Sequence, residues 1–246
     1  MEVGSLELMI ELLQLCFIII VPFVALYGVF RLLLFVFEGI NYSFLQSCCI
    51  IAATVFLSFN PLIFGMDLSI IPLFSFHNWD IMLHSCGLVL PLLLCVLCLK
   101  KGHISWSQLV FGIFAVSLGA FFVTIPIPEK GIVSMFPFFL FPAFIAAVVA
   151  FLWMDDGSDI RDAMVFSYVA SIFGVFIGAD LLHLPTLLVS DVGVPMQAVI
   201  GGAAAFDLIY LSGVVSILFF YLLYMFSTFV DGLDIKGKQL HMHLHH

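Results

Sequence analysis

The chain has 246 residues, of which 64% are hydrophobic and only 9% are charged. Soluble globular proteins carry about 25% charged residues, so this composition excludes a soluble fold and predicts one membrane domain over residues 1–246. The formal net charge is −9, and the chain has seven Lys and Arg residues in total. Because no run of basic residues is present to hold phosphates, we expect no nucleic-acid partner.

Seven apolar stretches follow one another along the chain, each close to the roughly 20 residues that cross a bilayer. They cover residues 12–35, 44–64, 81–99, 105–125, 132–154, 163–184 and 199–228. The pattern predicts an all-α polytopic membrane protein of about seven transmembrane helices, followed by a short tail at residues 229–246. Residues 65–80 contain Pro72 and an apolar run too short to cross, which favours a re-entrant or interfacial segment.

The basic residues predict an orientation, because Lys and Arg in short loops are retained on the cytoplasmic side. In the predicted topology Lys130 lies on one side, and the other six basic residues share the opposite side. Those six are Arg31, Lys100, Lys101, Arg161, Lys236 and Lys238. We therefore expect the N-terminus outside and the C-terminus in the cytoplasm.

Two aspartates interrupt the apolar pattern near the outer ends of the sixth and seventh predicted helices. Asp180 lies four residues before the end of the sixth stretch, and Asp207 lies near the start of the seventh. Because a carboxylate in hydrocarbon is costly, such residues usually face the bundle interior and mark a functional site. A hydrated position at the membrane interface is the alternative for either residue.

Small residues accompany both aspartates. Gly178 lies just before the first, while Gly201 and Gly202 precede the second and Gly213 follows it. Small residues allow another backbone to approach closely, or allow a helix to begin as an unwound segment beside a cavity. Helix packing alone would also select them.

Histidines at short spacing from aspartates form a second constellation. Asp80 and His84 stand at i and i+4, which predicts one shared helix face, and His183 follows Asp180 at i+3. Nitrogen and oxygen ligands suit a divalent metal, so Asp80, His84 and His183 are metal candidates. Hydrogen-bonded polar residues at helix ends explain the same spacing better, and we predict no cofactor.

The residues around both aspartates resemble a family signature. Ile-Gly-Ala-Asp-Leu-Leu at residues 177–182, followed by Gly-Gly-Ala-Ala-Ala-Phe-Asp at residues 201–207, is similar to the pattern of an uncharacterised family of archaeal and bacterial multi-pass membrane proteins. The chain departs from that pattern at His183, Ala204 and Leu208, where the family has Asn, Gly and Gly. The resemblance implies the cytoplasmic membrane of a prokaryote, and the first departure argues against a family-wide metal role for His183.

A more distant likeness is to the intramembrane aspartyl proteases of the presenilin and signal-peptide-peptidase type, whose motifs are Y-D and G-x-G-D. Phe206-Asp207 is similar to the first motif and Gly178-Ala179-Asp180 to the second, in the reverse order along the chain. This likeness implies that the two aspartates are catalytic.

Three functions are open for the aspartate pair. In a hydrolase, one carboxyl would hold a proton while the other activates water. In a transporter, the pair would bind a proton or another small ion, and in a non-catalytic subunit it would hydrogen-bond across helices. The expected partners are the lipid bilayer and either a membrane-embedded peptide or a small ion. The two short motifs favour the hydrolase.

Overall fold

The structure of the chain is a computed structural model that describes residues 3–59, 61–63, 66–101, 104–128, 130–154, 159–190 and 193–244. The protein is mostly helical, as predicted. Its α-helices are α1 (Val3–Gly39), α2 (Phe44–Ser58), α3 (Leu90–Leu99), α4 (Trp106–Val123), α5 (Phe141–Leu152), α6 (Ile160–Val175), α7 (Leu184–Val189) and α8 (Leu208–Leu244). Its strands are β1 (Leu62–Ile63), β2 (Met66–Asp67), β3 (Ile70–Phe76), β4 (Trp79–His84), β5 (Thr124–Ile127), β6 (Gly131–Ser134) and β7 (Met196–Ile200).

Apolar helices occur in the described residues at each of the seven predicted stretches. Four are long and apolar enough to cross a membrane, namely Gln14–Gly39, Trp106–Val123, Ile160–Val189 and Leu208–Val230. Three shorter apolar helices are Phe44–Ser58, Ser85–Leu99 and Phe138–Leu152. A helix of about 15 residues is roughly 22 Å long, which is less than the hydrocarbon core of about 30 Å. The chain is thus a membrane protein with four full-length apolar helices and three short ones.

The protein is not all-α, because three predicted spans begin in strands. The third predicted span starts within β4, the fifth within β6 and the seventh within β7. Their helical parts begin only at Ser85, Phe138 and Leu208. A short apolar run does not distinguish a buried strand from a helix, so hydropathy alone extended these spans too far.

The centre of the bundle is α6, which packs against α4, α5 and α8. All residues of α6 from Ala163 to Ile172 are buried. Glycines on the neighbouring helices allow this close packing: a Cβ at Gly112 would lie 2.7 Å from the ring of Phe166, and one at Gly213 would lie 2.7 Å from Ile172. Gly213 thus lies at the contact between α8 and α6.

The strands form three small sheets, and the largest has the order β3-β4-β7. β3 pairs antiparallel with β4, and β4 pairs parallel with β7. The predicted interfacial segment at residues 65–80 supplies β3 and the turn into β4. β5 and β6 form a separate antiparallel hairpin directly after α4. Both sheets therefore border the end of the bundle where α4 finishes.

The last helix extends beyond the predicted membrane span. α8 continues to Leu244, so the tail predicted at residues 229–246 begins as a continuation of the helix. Lys130 lies in the turn between β5 and β6, and Lys101 lies between α3 and α4. The predicted orientation of the chain in the membrane stays a prediction.

Candidate functional site

Asp180 and Asp207 lie together at the sheet end of the bundle. Asp180 belongs to a π-helical segment, Phe176–Leu181, that continues α6, and Asp207 immediately precedes α8. Both residues line two adjoining cavities of about 370 Å³ and about 390 Å³. The two aspartates predicted to be neighbours are therefore neighbours in the fold.

The segment that carries Asp180 is shaped by close packing against α4. The helix widens to π geometry, and the Leu182 N–H donates to the Ile177 carbonyl at 2.9 Å. A Cβ at Gly178 would lie 2.1 Å from the Ser117 carbonyl oxygen, so only glycine fits there. π-helical segments occur frequently at functional sites. Gly178 thus sets the position of the aspartate two residues later.

The carboxyl group of Asp180 has no hydrogen-bond partner among the described residues. The side chain is half-buried and lines both cavities. A polar group that is partly removed from water and left unpaired is unfavourable. Asp180 is therefore available to a proton, a water molecule or a ligand in the cavities.

Asp207 is held in place by the start of α8. Its Oδ1 accepts a hydrogen bond from the Ile209 N–H at 3.0 Å, and its Oδ2 accepts one from the Ala203 N–H at 3.4 Å. An aspartate that accepts from the first free N–H groups of a helix stabilises the helix start. The carboxylate is therefore also a structural cap.

The backbone before Asp207 is unwound, which is one of the two arrangements that the glycines allow. Gly201 has φ +77°, a left-handed conformation that favours glycine. The backbone of Gly201 also contacts Gly87, where a Cβ would lie 2.0 Å from the Gly201 carbonyl oxygen. These contacts carry the chain from β7 into the 3₁₀ turn Ala204–Phe206 and then into α8.

The first cavity, which we call the strand cavity, follows β7. Its lining includes every residue of β7 and the turn that follows, from Met196 to Ala203. Its remaining walls are Trp79, Leu184 and Leu187, together with Lys130, Gly131 and Ile132 of the β5–β6 hairpin. The strand cavity is thus lined by a strand, several apolar side chains, one basic side chain and the two aspartates.

The second cavity, which we call the helix cavity, lies beside the start of α8. Its lining comprises Thr124, Ile132, Ser134, Phe139, Ala179, Asp180, Ala203, Phe206, Asp207, Leu208 and Leu211. Ile132, Ala203 and the two aspartates line both cavities. The two aspartates therefore border both cavities, which are lined by residues of β7, the β5–β6 hairpin and the start of α8.

The three metal candidates do not come together. Asp80 accepts a hydrogen bond from the Ser75 hydroxyl at 2.6 Å. The Nε2 of His183 lies 3.1 Å from the Phe121 carbonyl oxygen, and its ring stacks on that of Phe121. His84 accepts hydrogen bonds from backbone N–H groups that follow it in the chain. Within the described part of the chain, no three His, Cys, Asp or Glu side chains are grouped to hold one metal ion.

The expected helix face shared by Asp80 and His84 is wrong, since both residues lie in β4. Four residues of strand separate their Cα atoms by about 13 Å. The Nδ1 of His84 instead accepts hydrogen bonds from the N–H groups of Cys86 and Gly87, at 3.2 and 3.3 Å. His84 therefore caps the helix that follows the strand.

Asp67 and His84 form a second electrostatic pair near the sheet. Hydrogen bonds from the hydroxyl and the N–H of Ser69 lower the pKa of Asp67. Burial lowers the pKa of His84, and the charge of Asp67 acts in the opposite direction. Because its Nδ1 accepts two N–H groups, His84 functions as a neutral cap.

Lys130 and β7 are the parts of the site that sequence reasoning did not find. The sequence signal for Lys130 was present, because it is the one basic residue predicted on the side of the aspartates. β7 had no distinct signal, since its residues read as the beginning of the seventh apolar span. The strand becomes visible only through its pairing with β4.

Comparison with known families agrees with the uncharacterised membrane family predicted from the sequence. The family described as "protein of unknown function (DUF1614)" matches residues 62–219, which is more than half of the chain. The chain belongs to this family. The matched region runs from β1 into α8 and contains both aspartates. No curated protein and no solved structure matches the chain. The likeness to presenilin-type proteases stays a prediction.

Proposed function

We propose that this membrane protein is an intramembrane hydrolase of the aspartyl type, with Asp180 and Asp207 as its two catalytic carboxyl groups. The observation that carries the proposal is that both carboxyl groups line the same two cavities. Two like charges in one site disfavour the doubly ionised state, so one carboxyl holds a proton. This is the arrangement that acid–base hydrolysis of an amide requires.

The hydrogen bonds suggest which carboxyl has which role. Asp207 accepts two backbone N–H groups, and such bonds favour a carboxylate. Asp207 is therefore the base, and Asp180, which has no such partners, carries the proton. The reaction begins when Asp207 takes a proton from water and the water oxygen attacks the substrate carbonyl carbon. Asp180 gives its proton to the carbonyl oxygen.

The second half of the reaction restores both groups. The tetrahedral diol breaks its C–N bond, and the departing nitrogen takes the proton from Asp207. One hydroxyl of the diol returns a proton to Asp180 as the new carboxyl product forms. Water and an amide are thereby converted to an acid and an amine, and no cofactor is needed.

The proposed substrate is a membrane-embedded peptide. The apolar helices surround the site with lipid-compatible surface, and Trp79, Leu184 and Leu187 line the strand cavity. An apolar peptide segment would reach such a site from the bilayer without crossing bulk water. The N-terminus outside and the C-terminus in the cytoplasm would put this site on the outer side of a prokaryotic cytoplasmic membrane.

A transporter is the second candidate, and one observation favours it. Both helices that carry an aspartate are interrupted beside the cavities, one by the π segment at Phe176–Leu181 and the other by the unwound residues before Leu208. Broken helices supply carbonyl groups and positive helix ends for ion sites in transporters. In this alternative the aspartates bind a proton or a small cation.

The test uses purified protein in liposomes and a set of apolar peptides whose cleavage is followed by mass spectrometry. We expect wild-type protein to generate new peptide termini, and Asp180→Asn and Asp207→Asn each to lose more than about 99% of that rate. Asp80→Asn is the matched control, because Asp80 lies outside both cavities, and it should cleave normally.

The same liposomes separate the hydrolase from the transporter. A pH-sensitive dye inside them reports proton flux. Proton flux that disappears in Asp180→Asn, without peptide cleavage by the wild type, would replace the hydrolase by the transporter. If neither cleavage nor flux depends on the aspartates, the pair is structural and both proposals are wrong.

A further inference from the structure

The strand cavity borders the edge of β7. A cavity over one face of a strand contacts alternate residues, because successive side chains point to opposite faces. Here all five residues of β7 line the cavity in succession. β7 is also at the end of the sheet order β3-β4-β7. The cavity therefore follows the side of β7 that is not paired with β4.

The ladder identifies which backbone groups face that side. The Met196 N–H donates to the Asn78 carbonyl at 2.8 Å. In a parallel pair, alternate residues bond to the same neighbour, so Met196, Ala198 and Ile200 bond to β4. The N–H and carbonyl groups of Gln197 and Val199 point the other way.

Three of those four groups are free in the described residues. The Val199 carbonyl accepts from the Gly202 N–H at 3.2 Å. The Gln197 N–H, the Gln197 carbonyl and the Val199 N–H have no partner on that side. An edge strand with unpaired groups is a template for another strand. Here the template ends at the turn that leads to Asp207.

The other walls suit an extended peptide. Gly131 and Ile132 of the β5–β6 hairpin line the same cavity, and Lys130 adds an exposed basic side chain. Among the described residues Lys130 forms no ion pair. A basic side chain beside a strand edge favours a peptide that carries a carboxylate.

We infer that an extended peptide binds along the free edge of β7 as an additional strand, which brings its backbone to Asp180 and Asp207. The inference rests on the proposed function for the choice of a peptide as ligand. Backbone hydrogen bonds to Gln197 and Val199 supply affinity that depends little on peptide sequence, as in other complexes formed by strand addition. Lys130 supplies a preference for an acidic group.

Alternate N-methylation of a peptide tests this binding without any change to the strand. The probe is a fluorescent decapeptide of alternating Val and Thr, in two forms: one is methylated on the backbone nitrogens of the Val residues only, and the other on every backbone nitrogen. Binding is measured by fluorescence anisotropy to Asp180→Asn in detergent, so that no peptide is cleaved. An added strand presents only alternate N–H groups to β7. The first form keeps one unmethylated edge and should bind, whereas the fully methylated form should bind at least about tenfold more weakly.

The outcomes are distinct. Equal binding of the two forms, or no binding of the unmethylated peptide, overturns the inference. A helical ligand would weaken in both forms, because a helix uses every N–H group. If the two forms differ but the wild type cleaves no peptide, the strand edge stands and the hydrolase fails. If the wild type cleaves peptides and the two forms bind equally, the hydrolase stands and the strand edge fails.

A pair of protein variants provides the reciprocal test. Val199→Pro removes an N–H group that faces the cavity and leaves the bonds to β4 in place. Val199→Ala removes side-chain volume and keeps that N–H group. We expect Val199→Pro to bind the unmethylated peptide about tenfold more weakly than Val199→Ala. Equal affinities of two folded variants would contradict the inference.

Discussion

The two segments that bring the aspartates together are built in different ways. Asp180 is part of a helix that widens as it passes α4, and its carboxyl has no hydrogen-bond partner in the described chain. Asp207 stands at the beginning of a helix, where two backbone N–H groups hold its carboxyl. Asp207 therefore has a structural role as a helix cap besides its proposed chemical role, whereas the Asp180 carboxyl has no structural hydrogen bond in the described chain. Substitutions at the two positions should therefore change the free energy of unfolding by different amounts.

The largest loss of stability is expected when a side chain is added at Gly178, where the π segment packs against α4. In Gly178→Ala the new Cβ would lie 2.1 Å from the Ser117 carbonyl oxygen, so the π segment must move away from α4. We expect a loss of about 3 kcal/mol in the free energy of unfolding, measured by denaturation in detergent. Gly28→Ala is the control, because no atom lies within 4 Å of that Cβ position. Equal stability of the two variants would refute the packing role.

The next largest effect is expected at Asp207, and a comparison with Asp180 shows which of the two carboxyl groups stabilises the fold. Asp207→Ala removes the cap of α8 and should cost about 1 kcal/mol of stability. Asp207→Asn keeps one oxygen, which can still accept from the Ile209 N–H, and should cost less. Asp180→Ala should leave stability unchanged, because its carboxyl makes no hydrogen bond with the described residues. A stability loss at Asp180 as large as that at Asp207 would contradict the comparison.

A smaller effect is expected on changing pH, through His84. The pKa of His84 in the folded protein lies below the ordinary value of 6.5 because of burial. The stabilising contribution of the neutral ring is therefore complete above pH 6.5 and is lost as the pH falls from 6.5 towards the folded-state value. Asp67 stays ionised in this window, since hydrogen bonds from Ser69 lower its pKa.

The measurement for His84 is thermal unfolding at about pH 7.5 and about pH 5.5. His84→Asn is the matched control, because its side-chain oxygen also accepts the N–H groups of the helix start but does not titrate. We expect the wild type to lose more thermal stability on acidification than the variant does. An identical loss in both proteins would exclude His84 as the cause.

The smallest effect is expected at Lys130, which is exposed. Lys130→Met should leave thermal stability unchanged and weaken the binding of peptides with an acidic residue by about threefold, as for a partly solvated ion pair. The affinity for the same peptide with Gln in place of the acid should not change. Equal losses for both peptides would show that Lys130 acts through packing alone.

The sequence was sufficient to predict the aspartate pair but not the walls around it. Asp180 and Asp207 stand out because charged residues are rare in apolar helices, and the glycines beside them predict the close packing. The strand β7 was not predictable, because its Ala, Val and Ile residues fit an apolar helix equally well. Lys130 joins the site only because the β5–β6 hairpin brings it to the cavity.

The metal candidates show a related limit. The spacing of Asp80 and His84 indicates a shared helix face only if the segment is helical, and the pairing with β3 and β7 makes it a strand. Residue spacing becomes a distance only once the secondary structure is known. The predicted proximity of Asp80 and His84 was wrong because the segment was taken as a helix and is a strand.

Asp180 and Asp207 are proposed to act together as one reaction centre. The most direct test is the rate of peptide cleavage in liposomes by the wild type and by Asp207→Asn, compared at equal thermal stability. We predict that Asp207→Asn folds like the wild type and still binds the unmethylated peptide. It should produce no new peptide termini. Cleavage by Asp207→Asn at the wild-type rate would contradict this prediction.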